Sequence, residues 1–361
     1  MAFPPTNNRP PRRLPAGLLA ALALVLLVET FIARQANDLT SYQALGTRFA
    51  LAQAIQTAPS CGVLGLGDSV MKFGFDPAEI ERRLNIPAFN LAVPGTPPPL
   101  THALLKRALQ AGSRPSAIVI GHMTLSGHPN VHLDELSELL TPLEAAELAS
   151  ATHDFSLLNP LLTRRLVPSI RYRLPLRARI LAALGGHPPV GDAPSALLRT
   201  WTQYRGMEPR ASNRQYTGRM EPALERSVYS EPWHVLWVYE QYVRKIAQLA
   251  ETHKIPIFWL IPPITPEAQS LREKLGLDAH HTKNLRAIQN RSPNLIILDT
   301  RQAAYPSSAF FDSCHLNTQG ASTLTAAIAA AIAQHSTQQW VSLPQYSNPI
   351  AVSPHQESMH R

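Results

Sequence analysis

An α/β fold with a mostly parallel sheet, preceded by an N-terminal transmembrane helix, is what this 361-residue chain predicts, and three observations predict it. The first is a β-α-β-α-β rhythm between residues 62 and 120. The second is a resumption of that rhythm between residues 234 and 334, which makes the intervening segment an insertion. The third is Leu14 to Val28, which carries no charge. Alternation of strands and helices puts strands in parallel with helices on both faces. The expected arrangement is therefore a flavodoxin-like three-layer α/β/α sandwich.

Taken in order, residues 1–13 are a short basic leader with Arg9, Arg12 and Arg13, and residues 14–33 are long and apolar enough to span a bilayer. A cleaved signal is the rival, but Phe31 and Arg34 stand where a small-x-small cleavage site needs small residues. The basic flank places the N-terminus in the cytoplasm and the body outside. A helix is expected over Asn37–Ala58. Strands are expected at Gly62–Leu66, Pro87–Ala92 and Ala117–Ile120, with helices at Pro77–Leu84 and Leu100–Ala111. Asp76 is a good N-cap for the first of these helices, and Pro77 suits its first turn.

Residues 134–234 interrupt the rhythm with helical patches at Asp134–Leu140 and Pro142–Ser150. The chain's 33 prolines cluster at the N-terminus, at Pro94 to Pro99, in residues 160–234 and near the C-terminus, which points to long irregular connections. The rhythm resumes with a helix at His234–Thr252, a strand at Ile255–Ile261, a helix near Glu267–Leu275, a strand at Asn294–Leu298 and an Ala-rich helix to about Gln334. The core domain thus covers residues 37–335. Beyond Gln338 the Ser/Pro/Gln-rich composition predicts a disordered tail over 338–361.

Between Arg164 and Arg219 the chain carries eleven arginines, no lysine and two acids, which accounts for all of the net charge of +8. Nucleic acid is not the expected partner, because the body lies outside the membrane and no nucleic-acid-binding motif accompanies the charge. Guanidinium forks suit phosphate and carboxylate, so the segment is read either as a recognition site for an anionic glycan or lipid headgroup or as a solvated surface in contact with anionic lipid. Cys61 and Cys314 are expected to be free. Cys61 opens the strand whose far end carries Ser69, roughly 26 Å away for eight extended residues, and Cys314 neighbours His315 at that far end.

The chemistry lies at the strand ends. Gly67-Asp68-Ser69 closes the first strand, where ligands of open α/β sheets bind. Asp312 and His315, three residues apart before the last helix, have the spacing that lets a carboxylate fix an imidazole tautomer. The other ring nitrogen is then left to take a serine proton. Ser69, His315 and Asp312 can thus supply a nucleophile, a base and an orienting carboxylate, beside the plainer reading of a helix-capping serine and a helix-capping aspartate. Histidines 122, 128 and 132 lack carboxylate partners for zinc, His280-His281 reads as surface, and Gly65-Leu66-Gly67 lacks the third glycine of a dinucleotide loop. No metal or cofactor is expected. Trp201, Trp233, Trp237 and Trp259 read as core.

Three ordered blocks resemble those of the SGNH (GDSL-type) hydrolase superfamily. They are Gly67-Asp68-Ser69-Val70, Asn90-Leu91-Ala92-Val93-Pro94-Gly95, and Asp312-Ser313-Cys314-His315-Leu316-Asn317 followed by Gly320. The resemblance covers roughly residues 60–125 and 235–335. It implies a serine esterase or O-acyltransferase with an oxyanion hole formed in part by the N–H groups of Ser69 and Gly95. It departs at Gly121-His122-Met123-Thr124, where methionine replaces the asparagine donor; His122 or Asn130 is the candidate substitute. The anchor and Leu260-Ile261-Pro262-Pro263 resemble a membrane-associated subset that serves cell-envelope acylation. The alternative is an inactive binding or scaffold protein of an envelope assembly.

Overall fold

A computed structural model describes residues 16–36, 39–123, 132–186, 193–211, 216, 218, 237–334 and 339–347. The chain divides into two compact units: Met1–Thr40 with Thr163–Pro189, and Ser41–Leu162 with Val190–Arg361. The expectations for Asn130, His128 and Trp233 lie outside the described residues.

The larger unit is built on six strands: β1 (Val63–Gly67), β2 (Ala88–Asn90), β3 (Ala117–Gly121), β4 (Ile257–Ile261), β5 (Leu295–Asp299) and β6 (Trp340–Ser342). They lie in the order β2-β1-β3-β4-β5-β6, and every pairing is parallel. Strands buried on both faces read as continuous apolar runs, and β1, β3 and β4 are buried at every position. Period-two alternation sends Leu64, Ile118, Trp259 and Ile297 into one apolar cluster and Val63, Val119, Phe258 and Leu298 into another.

The helices of this unit that lie before the insertion are α2 (Tyr42–Gln56), α3 (Ser69–Gly74), α4 (Pro77–Leu84) and α5 (Pro98–Gln110), counted after the N-terminal helix α1 (Ala16–Arg34). Ser41 caps α2 and Asp76 caps α4 through their side-chain oxygens. The insertion supplies α6 (Leu133–Leu139), α7 (Pro142–Thr152), α8 (Leu158–Leu166), α9 (Pro168–Arg171), α10 (Arg173–Leu184) and α11 (Ala193–Gln203). Helices α12 (Trp237–Thr252), α13 (Pro266–Lys274), α14 (Leu277–Gln289) and α15 (Thr318–Ala333) complete the fold.

Two expectations need correction. Strand β6 lies inside the segment expected to be a disordered tail, because Trp340 and Val341 pair with Ile297 and Leu298. Helix α14 was not foreseen, and it buries His281, which is 3% exposed. The insertion does not form a single block: its middle belongs to the smaller unit with α1, while its two ends belong to the larger one. Cys61 and Cys314 are free and buried, and Trp201 and Trp259 are core residues, whereas Trp237 is half exposed.

The returning limb of the insertion closes the β2 edge. Asn90 N–H donates to the Arg205 carbonyl (2.9 Å), and Gly206 lies so close that a Cβ there would meet the Asn90 carbonyl oxygen at 1.9 Å. The same limb completes a buried polar knot. The Lys72 ammonium sits 4.2 Å from the Trp201 ring centroid and 5.6 Å from that of Phe49. The Glu208 carboxylate accepts from Trp201 Nε1 (2.8 Å) and from the Tyr42 hydroxyl. Burial pulls the Lys72 ammonium down from 10.5 to about 7, with Glu208 opposing the shift.

Between those two values the unfolded chain holds the lysine proton and the folded chain does not. The contribution of Lys72 to folding stability therefore rises as pH rises from about 7 to about 10.5, opposed above about 9 by the Cys61 and Cys314 thiols, which burial pushes up. Urea unfolding of the detergent-solubilised chain between about pH 7 and 8.5 is expected to show that rise, and Lys72→Met is expected to flatten it.

Candidate active site

The site is set by how closely β1 and β3 end. Gly67 has φ 127°, a region closed to side-chain-bearing residues, and a Cβ there would stand 1.9 Å from the Gly121 carbonyl oxygen. Asp68 N–H donates to that same carbonyl at 3.2 Å. The chain then turns directly into α3, with Asp68 as N-cap and Ser69 as the first helical residue. Ser69 N–H is thus one of the donors that a helix start leaves without an intrahelical acceptor.

The Asp68 carboxylate joins two segments. Oδ1 accepts from Val70 N–H (3.0 Å) and Oδ2 from Met123 N–H (2.8 Å). Burial raises this carboxyl to about 6, with the two backbone donors holding it down in part. Asn90 locks the other end of α3: its side-chain amide donates to the Met71 carbonyl (2.8 Å) and the Phe75 carbonyl (3.0 Å), while Oδ1 accepts from Ala92 N–H.

On this platform the distant pair arrives. Ser69 Oγ lies 2.8 Å from His315 Nε2, and His315 Nδ1 lies 2.7 Å from Asp312 Oδ2. Asp312 Oδ1 also accepts from the N–H groups of Cys314 (3.0 Å) and His315 (2.8 Å), which fixes the loop. Burial pushes the Asp312 carboxyl up, but the hydrogen bond and charge of His315 and the two backbone donors outweigh it and hold the group at about 2. The imidazole is braced by Phe73, edge to face at 4.9 Å, one helical turn after Ser69. Asp312, His315 and Ser69 thus form a continuous relay, the arrangement that activates a serine hydroxyl.

The other sequence candidates differ in placement. Gly95 sits in a turn with φ 72°, beside the half-buried His132. His122, the described candidate substitute for the missing asparagine donor in binding substrate, is 1% exposed, stacks on Trp259 and lies 3.3 Å from Thr101 Oγ1. Burial drives its imidazole down to about 3. Met123 uses its main chain for Asp68, while its side chain packs against the apolar cluster that contains Ile264 and Cys314.

Asp312, Cys314 and His315 offer ligand atoms within 4.8 Å of one another. Both ring nitrogens of His315 are, however, committed to Asp312 and Ser69, and burial pushes the Cys314 thiol well above its ordinary value, away from the thiolate a metal requires.

Sequence reasoning missed Phe73 and Arg210. The Arg210 guanidinium stacks on Phe73 (4.2 Å) and Phe311 (5.2 Å), and it pairs with Glu208 at 3.2 Å. Only the run of arginines pointed toward it. No protein-family profile and no curated protein matches the chain.

Removing the Asp68 carboxylate strips Val70 N–H and Met123 N–H of their acceptor. Asp68→Ala is therefore expected to destabilise the protein by about 1–3 kcal/mol, with Asp68→Asn retaining one of the two contacts and losing less. Urea unfolding of both variants measures the difference.

Proposed function

We propose that this chain is an SGNH-type serine esterase or O-acyltransferase that acts on an ester-linked acyl group of a cell-envelope glycan or lipid. The observation that carries the reading is the relay itself: Asp312 to His315 at 2.7 Å and His315 to Ser69 at 2.8 Å, assembled from residues 246 positions apart at the carboxyl end of a parallel sheet. The strand order supports a flavodoxin-like three-layer arrangement, since β2-β1-β3-β4-β5 is the order of that doubly wound class.

In this reading Ser69 Oγ attacks the ester carbonyl as His315 Nε2 takes its proton, and Asp312 holds Nδ1–H and stabilises the imidazolium. The N–H groups of Ser69 and Gly95 face the developing oxyanion. His315 returns the proton to the leaving alcohol, and the acyl-enzyme passes its group to water or to a sugar hydroxyl. Met123 brings no side-chain donor to the oxyanion, a loss that typically costs about 10²–10³ in rate, so turnover is expected to be slow.

The localisation that accompanies this function is a single-pass anchor with a cytoplasmic N-terminus and an extracytoplasmic body. Helix α1 is long and apolar enough to cross a membrane, with a mean hydropathy of 2.4, and Ile32 is its one buried residue among those described. Retention rather than cleavage is supported by the packing of Ile32 with Tyr172.

A fluorophosphonate probe tests the reaction. The folded, membrane-extracted protein is expected to label, Ser69→Ala to lose labelling, and Asp312→Asn to slow acylation by about 10⁴-fold. Absence of labelling in the folded wild type would favour the inactive scaffold that the missing asparagine suggests.

A further inference from the structure

The smaller unit joins α1 to residues 163–186, and its composition is unusual. Those 24 residues hold six arginines, no lysine and no acid. They are bound to the C-terminal end of α1, not to its middle. Glu29, on the last two turns of the helix, accepts from Ser169 N–H (2.9 Å) and from the Ser169 hydroxyl (2.5 Å). Tyr172 and Leu176 pack with Ile32, Ala36 and Leu39.

What this packing leaves outside is apolar. Leu174 is 66% exposed, Leu181 56% and Leu184 80%, and Leu166, just before α9, is 76% exposed. At 3.6 residues per turn, Leu174, Leu181 and Leu184 share one side of α10, with Arg177 between them and Arg173 at the margin. A contiguous patch of this kind is a liability in water. At the bilayer boundary the same mixture is favourable: leucines enter the acyl region while arginine stems lie along it and raise their guanidinium heads to the phosphates.

We propose that residues 163–186 form a collar around the outer end of α1 that seats in the headgroup region of an anionic bilayer, with Leu166, Leu174, Leu181 and Leu184 as the inserted residues. The inference rests on the reading of α1 as a retained membrane span. It assigns this part of the arginine-rich segment to lipid phosphate and not to a glycan. Charge complementarity and continuity with α1 single out that occupant: the patch begins where the span ends, and it carries the sign that anionic headgroups attract.

Spin labels on the full chain in vesicles test it, because the native thiols of Cys61 and Cys314 are buried. Leu26→Cys reports on the span, Leu181→Cys on the collar, and Leu143→Cys on an exposed leucine of the larger unit. In phosphatidylglycerol–phosphatidylcholine vesicles, oxygen accessibility is expected to place the Leu26 label deep in the acyl region. The Leu181 label is expected about 5–10 Å below the headgroups, and the Leu143 label in water. Arg173→Gln with Arg177→Gln is expected to move the Leu181 label toward water and leave the Leu26 label in place.

A Leu181 label in water beside a deep Leu26 label, the result expected of a glycan-binding segment, overturns the collar alone. Both labels in water overturn the span and the collar together. An equal Leu181 depth in phosphatidylcholine alone overturns the role assigned to anionic lipid.

Discussion

The Asp68 carboxylate is the tie on which the geometry of the site depends. It is held where β1 and β3 end side by side at two glycines, Gly67 and Gly121, and it reaches forward into α3 and sideways to Met123. A carboxylate in so dry a place costs free energy to keep ionised. The two backbone donors return part of that cost, and the result is a rigid start to α3. Ser69 inherits its direction from that start, and Asn90 fixes the opposite end of the same short helix. Six residues of helix would not hold their shape alone; two side chains, one at each end, do it for them.

Several parts of this fold were legible in the chain. The strands β1, β3, β4 and β5 announce themselves because burial on both faces requires unbroken apolar runs. The Gly67-Asp68-Ser69 turn and the Asp312–His315 spacing are local patterns that carry their chemistry with them. Other parts could not be read. Strand β6 is three residues long in a Ser/Gln-rich stretch, and its pairing partner lies some forty residues back. Helix α14 follows Gly276 through a polar run that hides its buried face. Phe73 meets His315, and Arg210 meets Phe73, through contacts between segments far apart in sequence, which no spacing rule reports. Met123 was legible as a missing donor, yet the role of its main chain depends on where the Asp68 side chain turns.

The arginine-rich insertion divides its labour by position. Its middle carries the leucine–arginine helix α10 bound to α1. Its returning limb brings Trp201, Glu208 and Arg210 to the back and rim of the Ser69 site, where one aromatic ring separates Arg210 from the imidazole. A single charged segment thus combines surfaces of different chemistry, one mixed and apolar, the other buried and hydrogen-bonded. Net charge alone reports neither.

That division bears on how replaceable the insertion is. In many α/β proteins a long excursion between two strands is an ornament that related chains lengthen, shorten or discard. Here the limb around Arg205 and Gly206 supplies the main-chain carbonyl that satisfies Asn90 and occupies the open edge of the sheet. An excision between β3 and β4 would therefore remove a structural member of the core along with the ornament. Lineages free to vary the α9–α10 stretch would still be bound to keep the limb that follows it.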